Sequence, residues 1–199
     1  KVYMKKTLLI VLMAFAGITA SMAQDLGFIV KGGIGISNFT GDLNGSPLFS
    51  WKMGVTGDFA VSDFLGIQPG LMFTRKGTSD PENIGDATVN AYYLEVPVMA
   101  AYRIPLPRTM LLLNAGPYLA CGVGGKTKID MPEGGTYEVD TFGSEGLKRF
   151  DFGMGLGIGF DFEHITAGIE ADFGFLNVAD SPRAKARNMS AHITVGYRF

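Results

Sequence analysis

FDFGMGLGIGFDF, residues 150–162, alternates with period two. Phe150, Phe152, Met154, Leu156, Ile158, Phe160 and Phe162 make one series, and Asp151, Gly153, Gly155, Gly157, Gly159 and Asp161 make the other. A helix repeats every 3.6 residues, so this period predicts a β-strand with one bulky apolar face and one face almost without side chains. Glycine in a strand interior loses much backbone entropy and packs nothing, so a row of it implies a crowded neighbourhood. The competing reading is a phosphate-cradling dinucleotide loop. That fingerprint places glycines at the first, third and sixth positions and then opens a helix. Here the sixth position is Ile158, and the period is that of a strand.

The same two-faced pattern returns in eight segments, 26–38, 49–61, 64–76, 91–103, 110–123, 150–162, 165–175 and 188–199. Each is about as long as a tilted membrane-spanning strand. One face is apolar and is expected to carry no charge. The other holds Lys31, Lys52, Asp58, Gln68, Glu95, Arg103, Asn114, Asp151, Asp161, Glu170, Asp172, His192 and Arg198 among small residues. In a soluble, lipocalin-like barrel the apolar face would point inward, and in a membrane barrel it would point to lipid. Volume decides, because eight strands enclose just enough room for side chains. The charged face is the glycine-rich one, so it goes inside. The expectation is an all-β, eight-stranded, antiparallel up-and-down transmembrane β-barrel.

Connection lengths agree. Long polar links (39–48, 77–90, 124–149, 176–187) alternate with tight ones at Ser62-Asp63, Ile104 to Arg108 and Glu163-His164. That asymmetry predicts an outer-membrane barrel of a Gram-negative cell, with both termini periplasmic. Aromatics on the apolar face then sort into two girdles at headgroup depth. Phe28, Phe59, Tyr102, Phe160, Tyr197 and Phe199 fall toward the periplasm. Phe39, Trp51, Phe73, Tyr92, Phe152 and Phe173 fall toward the outside. Pro69, Pro97 and Pro117 sit inside strands, where each removes a ladder donor.

The start of the chain predicts a secretory signal peptide over residues 1–23, leaving 24–199 as one barrel domain. Lys5 and Lys6 follow Met4, an apolar run spans Leu8 to Ile18, and small residues precede Gln24. Gln24 stands where a lipoprotein would need cysteine. Cys121 is the only cysteine, so no internal disulfide can form, and a net charge of -2 gives no sign of a nucleic-acid partner.

Charges of both signs inside a narrow barrel must pair. Two salt-bridged layers are expected: Lys31, Asp58, Arg103, Asp161 and Arg198 toward the periplasm, and Lys52, Glu95, Asp151 and Asp172 toward the outside. Glu170 shares their face. No metal, cofactor or catalytic set is expected. His164 falls on a turn, and His192 faces the lumen beside Ser190 as a network member. Arg183, Lys185 and Arg187 lie near the outer leaflet, where lipopolysaccharide phosphates are the candidate contact. The 124–149 loop is read as a flexible, solvated segment and as the candidate contact for an envelope protein partner.

Six stretches, VKGGIGISNFTGD (30–42), FLGIQPGLMFTRKG (64–77), YLEVPVMAAYR (93–103), LLNAGPYLACG (112–122), FDFGMGLGIGF (150–160) and VGYRF (195–199), resemble the small outer-membrane barrels of Bacteroidota called porin-family or PorT-like. The resemblance covers essentially the whole predicted mature chain, and its most specific parts are YLEVP and AGPYL. It implies an envelope role, structural or interactive, accessory to secretion. The closing Phe199 resembles the signal read by the barrel-assembly machinery, although Gly196 departs from its spacing. A narrow solute pore and a lipid-modifying enzyme stand as alternatives.

Overall fold

The computed structural model describes residues 26–80, 86–131, 135–143, 146–181 and 184–199. The segment 1–23 expected to be a signal peptide and Arg183 lie outside the described residues. The strands in chain order are β1 (Leu26–Gly41), β2 (Ser46–Ala60), β3 (Leu65–Ser79), β4 (Ala87–Leu106), β5 (Thr109–Gly124), β6 (Lys126–Asp130), β7 (Thr136–Asp140), β8 (Phe150–Phe162), β9 (Ile165–Gly174) and β10 (Ala186–Arg198). Among the described residues there is no helix.

Eight of these strands close on themselves. Sheet order runs β3-β2-β1-β10-β9-β8-β5-β4, every pairing is antiparallel, and β3 bonds β4 to complete the ring. The stagger follows from the register. A path of paired residues from Leu26 runs through Phe59, Ile67, Ala100, Ala115, Leu156, Ala171 and Ala191 and returns to β1 at Ile36, ten residues on. Eight strands with that shear tilt by about 40° and leave an interior that side chains fill.

Alternation places the two faces as read. Ile34 is 62% exposed and Ile193 65%, and they belong to a belt of exposed Val, Ile, Leu and Met around the outside. A soluble monomer does not expose apolar surface on that scale. In β8 the glycines face inward and make space. A Cβ at Gly153 would stand 2.6 Å from the Tyr118 hydroxyl, one at Gly155 3.1 Å from both Met99 and Asp172, and one at Gly157 3.3 Å from Glu170. The room therefore serves a tyrosine, a methionine and two carboxylates.

The prolines coincide with lapses in the ladder. Paired residues are interrupted between Thr56↔Gly70 and Phe59↔Ile67, between Pro69↔Val98 and Met72↔Glu95, and between Pro97↔Tyr118 and Ala100↔Ala115. Pro69, Pro97 and Pro117 bound or fill these three gaps. Phe59 differs from the girdle expectation: its ring lies over Gly57 on the outer wall, and it is 7% exposed. Phe39 is a second correction. It is 0% exposed and faces inward, because the outward series of β1 falls on even numbers.

The link between β5 and β8 is not the flexible loop expected from its composition. It carries the β6–β7 hairpin, and β6 pairs with the first residues of β4, Ala87 to Val89. The remainder of the link folds over the barrel mouth. Leu147 bridges Ala179, and the Lys148 amide donates to the Val178 carbonyl at 2.7 Å.

Gly153→Val would push a branched side chain into Tyr118 and the β9 backbone. We expect a loss of about 1–3 kcal/mol, as for other overpacked interiors, read by urea unfolding in lipid vesicles. Ile158→Val, facing lipid from the same strand, should fold as the parent does.

Candidate functional site

Inside the barrel the side chains stack in three levels. At the end where β1 begins and β10 finishes, Asp58 accepts from Arg103 and Arg198, and from Gln68 Nε2 at 3.2 Å, while Arg198 also donates to Asp161. This level brings together four of the five residues expected there. The fifth, Lys31, belongs one level higher. Its Nζ is 2.5 Å from Glu170 Oε1, and Lys52 Nζ reaches Glu170 at 3.1 Å and Asp172 at 3.0 Å. Lys76 completes this level with Glu95 at 2.5 Å. Sequence reading missed Lys76, although it continues the inward even-numbered series of β3 and could have been found by carrying the alternation one step further.

Asp151 is fully buried but is not ion-paired, contrary to the two-layer expectation. It accepts from Tyr118 OH at 3.1 Å, from Asn188 Nδ2 at 2.8 Å and from the Phe152 amide at 2.9 Å. Neutral donors suffice here because both carboxylate oxygens are met by an N–H or O–H. Above them an apolar cap closes the mouth, built from Phe39, Val89, Tyr93, Phe142, Leu147 and Val178 with their neighbours. Phe142 meets Tyr93 edge-on at 5.5 Å, and the Arg149 guanidinium lies over the Phe142 ring at 5.2 Å. Among the described residues, cavities of about 30 and 20 Å³ lie between the levels, each with room for about one water. Beyond the Asp58 level the lumen widens into an open vestibule of about 830 Å³ walled by Asp58, Arg103, Asp161 and Arg198.

His192 is 1% exposed and bonds not to Ser190 but to Ser50, whose Oγ is 2.7 Å from Nε2. Ser50 also donates to the Arg75 carbonyl. Ser190 instead donates to Asp172 at 3.3 Å. His164 lies on the turn between β8 and β9 and stacks on Tyr197 at 5.9 Å. Among the described residues no three His, Cys, Asp or Glu side chains group so that they could hold a metal.

On the outer wall, Trp51, Phe73 and Tyr92 form a cluster at the loop-bearing end, with centroids 5.4 to 6.4 Å apart. Phe152 stands near Phe175 at 6.0 Å, and Phe173 pairs with Met189 across the ladder. At the other end, Tyr197 meets Phe199 at 4.9 Å and Phe160 meets Phe162 at 6.3 Å, with Phe28 and Tyr102 exposed on the same wall. The wall is not free of charge as expected: Arg75 lies on it, level with Trp51 and Tyr92, and donates to Asn90 Oδ1 from Nε at 3.1 Å. Lys185 and Arg187 are exposed at that end, and the Lys185 amide donates to Asp42 at 2.8 Å. On the hairpin, Lys126 bonds Asp140 at 2.7 Å; that hydrogen bond holds the lysine above its usual range and the carboxyl below its own.

A closed barrel with an apolar exterior and a salt-bridged interior is the build of a small membrane barrel, since only a ring of strands leaves no backbone edge in hydrocarbon. Residues 22–180 match the model of the outer membrane protein beta-barrel domain, and the chain belongs to that family. No curated protein matches it significantly. Solved structures share the fold at low identity. Neisserial surface protein A is 12% identical with a TM-score of 0.53, over 86% of this chain and 97% of that one. The outer membrane enzyme PagL is 12% identical with a TM-score of 0.52, over 84% and 97%. A major outer membrane protein from Thermus thermophilus is 14% identical with a TM-score of 0.52, over 88% and 100%.

Asp58→Ala would strand Arg103 without a carboxylate and leave Arg198 with Asp161 alone, and stability should fall by about 3–5 kcal/mol, measured as a shift in urea midpoint. Lys126→Ala breaks only a pair open to water, and its unfolding curve should overlay that of the parent.

Proposed function

We propose that the protein is a non-conducting, non-enzymatic outer-membrane barrel whose lumen is a structural core and whose loop-bearing end is an interaction surface outside the cell. The observation that carries this reading is the filling of the lumen, continuous from the Asp58 level through the Lys52 level to the Phe142 cap. Eight-stranded barrels have little room to begin with, and ion pairs at two levels leave spaces of single-water size. A fold shared with an enzyme decides nothing about catalysis. The reading rests instead on His192 and Ser50 being buried in the lumen, away from the lipid-facing wall.

In this reading both termini are periplasmic and the β6–β7 hairpin stands outside, as the alternation of short and long connections supports. The resemblance to PorT-like barrels favours an accessory role in secretion through an envelope partner, and the barrel-assembly machinery would insert the chain. Trp51, Phe73 and Tyr92 with Arg75, and Lys185 with Arg187, would then lie at the outer headgroups, where aromatic rings and cations suit lipopolysaccharide phosphates.

Purified protein in a planar bilayer should give no stable single-channel current; steady unitary conductance would overturn the sealed-lumen reading. Reversal of charge at Lys185 and Arg187 should weaken co-purification of lipopolysaccharide several-fold without changing the melting of the barrel. Equal lipid retention would remove the phosphate contact.

A further inference from the structure

The closed ring hides every strand edge within the barrel, but one edge stays open above it. At the loop-bearing end the sheet continues from β4 to β6 and then to β7, and among the described residues nothing pairs with the far side of β7. The direction of its backbone groups can be worked out. Met131 donates to the Gly135 carbonyl at 2.9 Å, Thr141 donates to that of Gly125 at 3.2 Å, and the hairpin pairs Ile129 with Tyr137 and Thr127 with Val139. The odd-numbered residues are thus the hydrogen-bonded pairs of the hairpin. On β7, Tyr137 and Val139 turn their N–H and C=O toward β6, while Thr136, Glu138 and Asp140 turn theirs outward.

Exposed edges are usually blunted by lysine, proline or a bulge. β7, with the sequence TYEVD, has none of these. Its threonine, tyrosine and valine favour strands, and Tyr137 is 56% exposed. Both lysines of the hairpin lie on the inner strand, where Lys126 faces Asp140 and Lys128 faces Glu138 at 3.1 Å. The edge itself is acidic.

We propose that β7 is a docking edge for an extended, basic segment of a partner protein, which adds as a further antiparallel strand. The inference rests on the reading of this end as an external interaction surface and names the chemistry of the partner. A lysine or arginine opposite Glu138 would complete a row in which the carboxylate lies between two cations, with Lys128 on its other side. The same holds opposite Asp140 with Lys126. Opposite charges across a ladder favour pairing and like charges oppose it. A second copy fits less well. Two-fold antiparallel pairing of β7 about its centre would set Glu138 against Glu138, so the edge selects against itself.

The test uses the full chain in lipid nanodiscs and a short peptide alternating lysine with threonine and valine. Binding should slow amide exchange at Thr136, Glu138 and Asp140. Glu138→Pro, which removes an outward N–H without touching the β6 ladder, should lower affinity by at least about tenfold. Exchanging the charges across the hairpin, Glu138→Lys and Asp140→Lys together with Lys128→Glu and Lys126→Asp, keeps every backbone donor and both cross-strand pairs and should switch preference to a peptide alternating glutamate. Absence of exchange protection in the parent, or equal affinity of Glu138→Pro, would overturn the proposal. So would a peptide-free dimer in sedimentation that Glu138→Pro abolishes, since the occupant would then be a second copy. None of these outcomes depends on conductance, so a channel recorded from the same protein would leave the edge intact, and failure of the peptide would leave the sealed lumen intact.

Discussion

A backbone N–H or C=O that meets hydrocarbon without a partner costs several kcal/mol, so a sheet crossing a membrane must have no edge. Closure between β3 and β4 meets that demand, and the stagger of ten residues that allows closure also fixes the width of the interior. The rest follows from the width. Eight inward rows cannot all be bulky, so β8 gives up side chains along its inner face, and Tyr118, Met99, Asp172 and Glu170 occupy the space. The glycine row and the large polar residues of its neighbours are one packing solution seen from two strands.

Why the interior is ionic is a separate matter. Buried ion pairs seldom stabilise more than a well-packed apolar core would. They do, however, distinguish the two faces. A slip of one residue in any strand exchanges its faces, and a lumen lysine turned to lipid would cost up to about 2–4 kcal/mol near the bilayer midplane and less toward either interface. The charged lumen thus penalises the wrong register as well as filling the right one. Arg75 shows where that rule relaxes: it lies on the outer wall, but among Trp51 and Tyr92 at the end of the apolar band, with Asn90 taking its N–H groups.

Period two was enough to read the eight crossing strands and the facing of nearly every residue in them, because alternation is local and each strand carries its own copy of the signal. Depth was harder to read. Position along a strand is not height in a tilted, staggered barrel, and for this reason Lys31 was placed with Asp58 when the register carries it to Glu170. The hairpin escaped notice for another reason. Its alternation, Lys126, Lys128 and Asp130 against Thr136, Glu138 and Asp140, is polar on one face and only weakly apolar on the other, so glycine and charge made it look like solvated loop. The cap was unreadable in principle, since Phe142, Leu147 and Val178 come from segments without periodicity that meet only after the barrel has closed.

The same ladder physics explains why one edge could be left open. β4 runs for 20 residues, longer than a bilayer crossing needs, and it changes partner on the way. Around the bulge where Tyr92 and Tyr93 meet Gly124 and Gly122, β5 leaves the sheet, and β6 takes up the donors of Ala87 to Val89. Below that point an unpaired edge would face lipid. Above it water can satisfy β7, so closure is no longer imposed and the edge becomes free to accept a strand from elsewhere. Gly122, Gly124 and Gly125 mark the crossing between the two regimes, at the height where the solvent of the barrel wall changes from lipid to water.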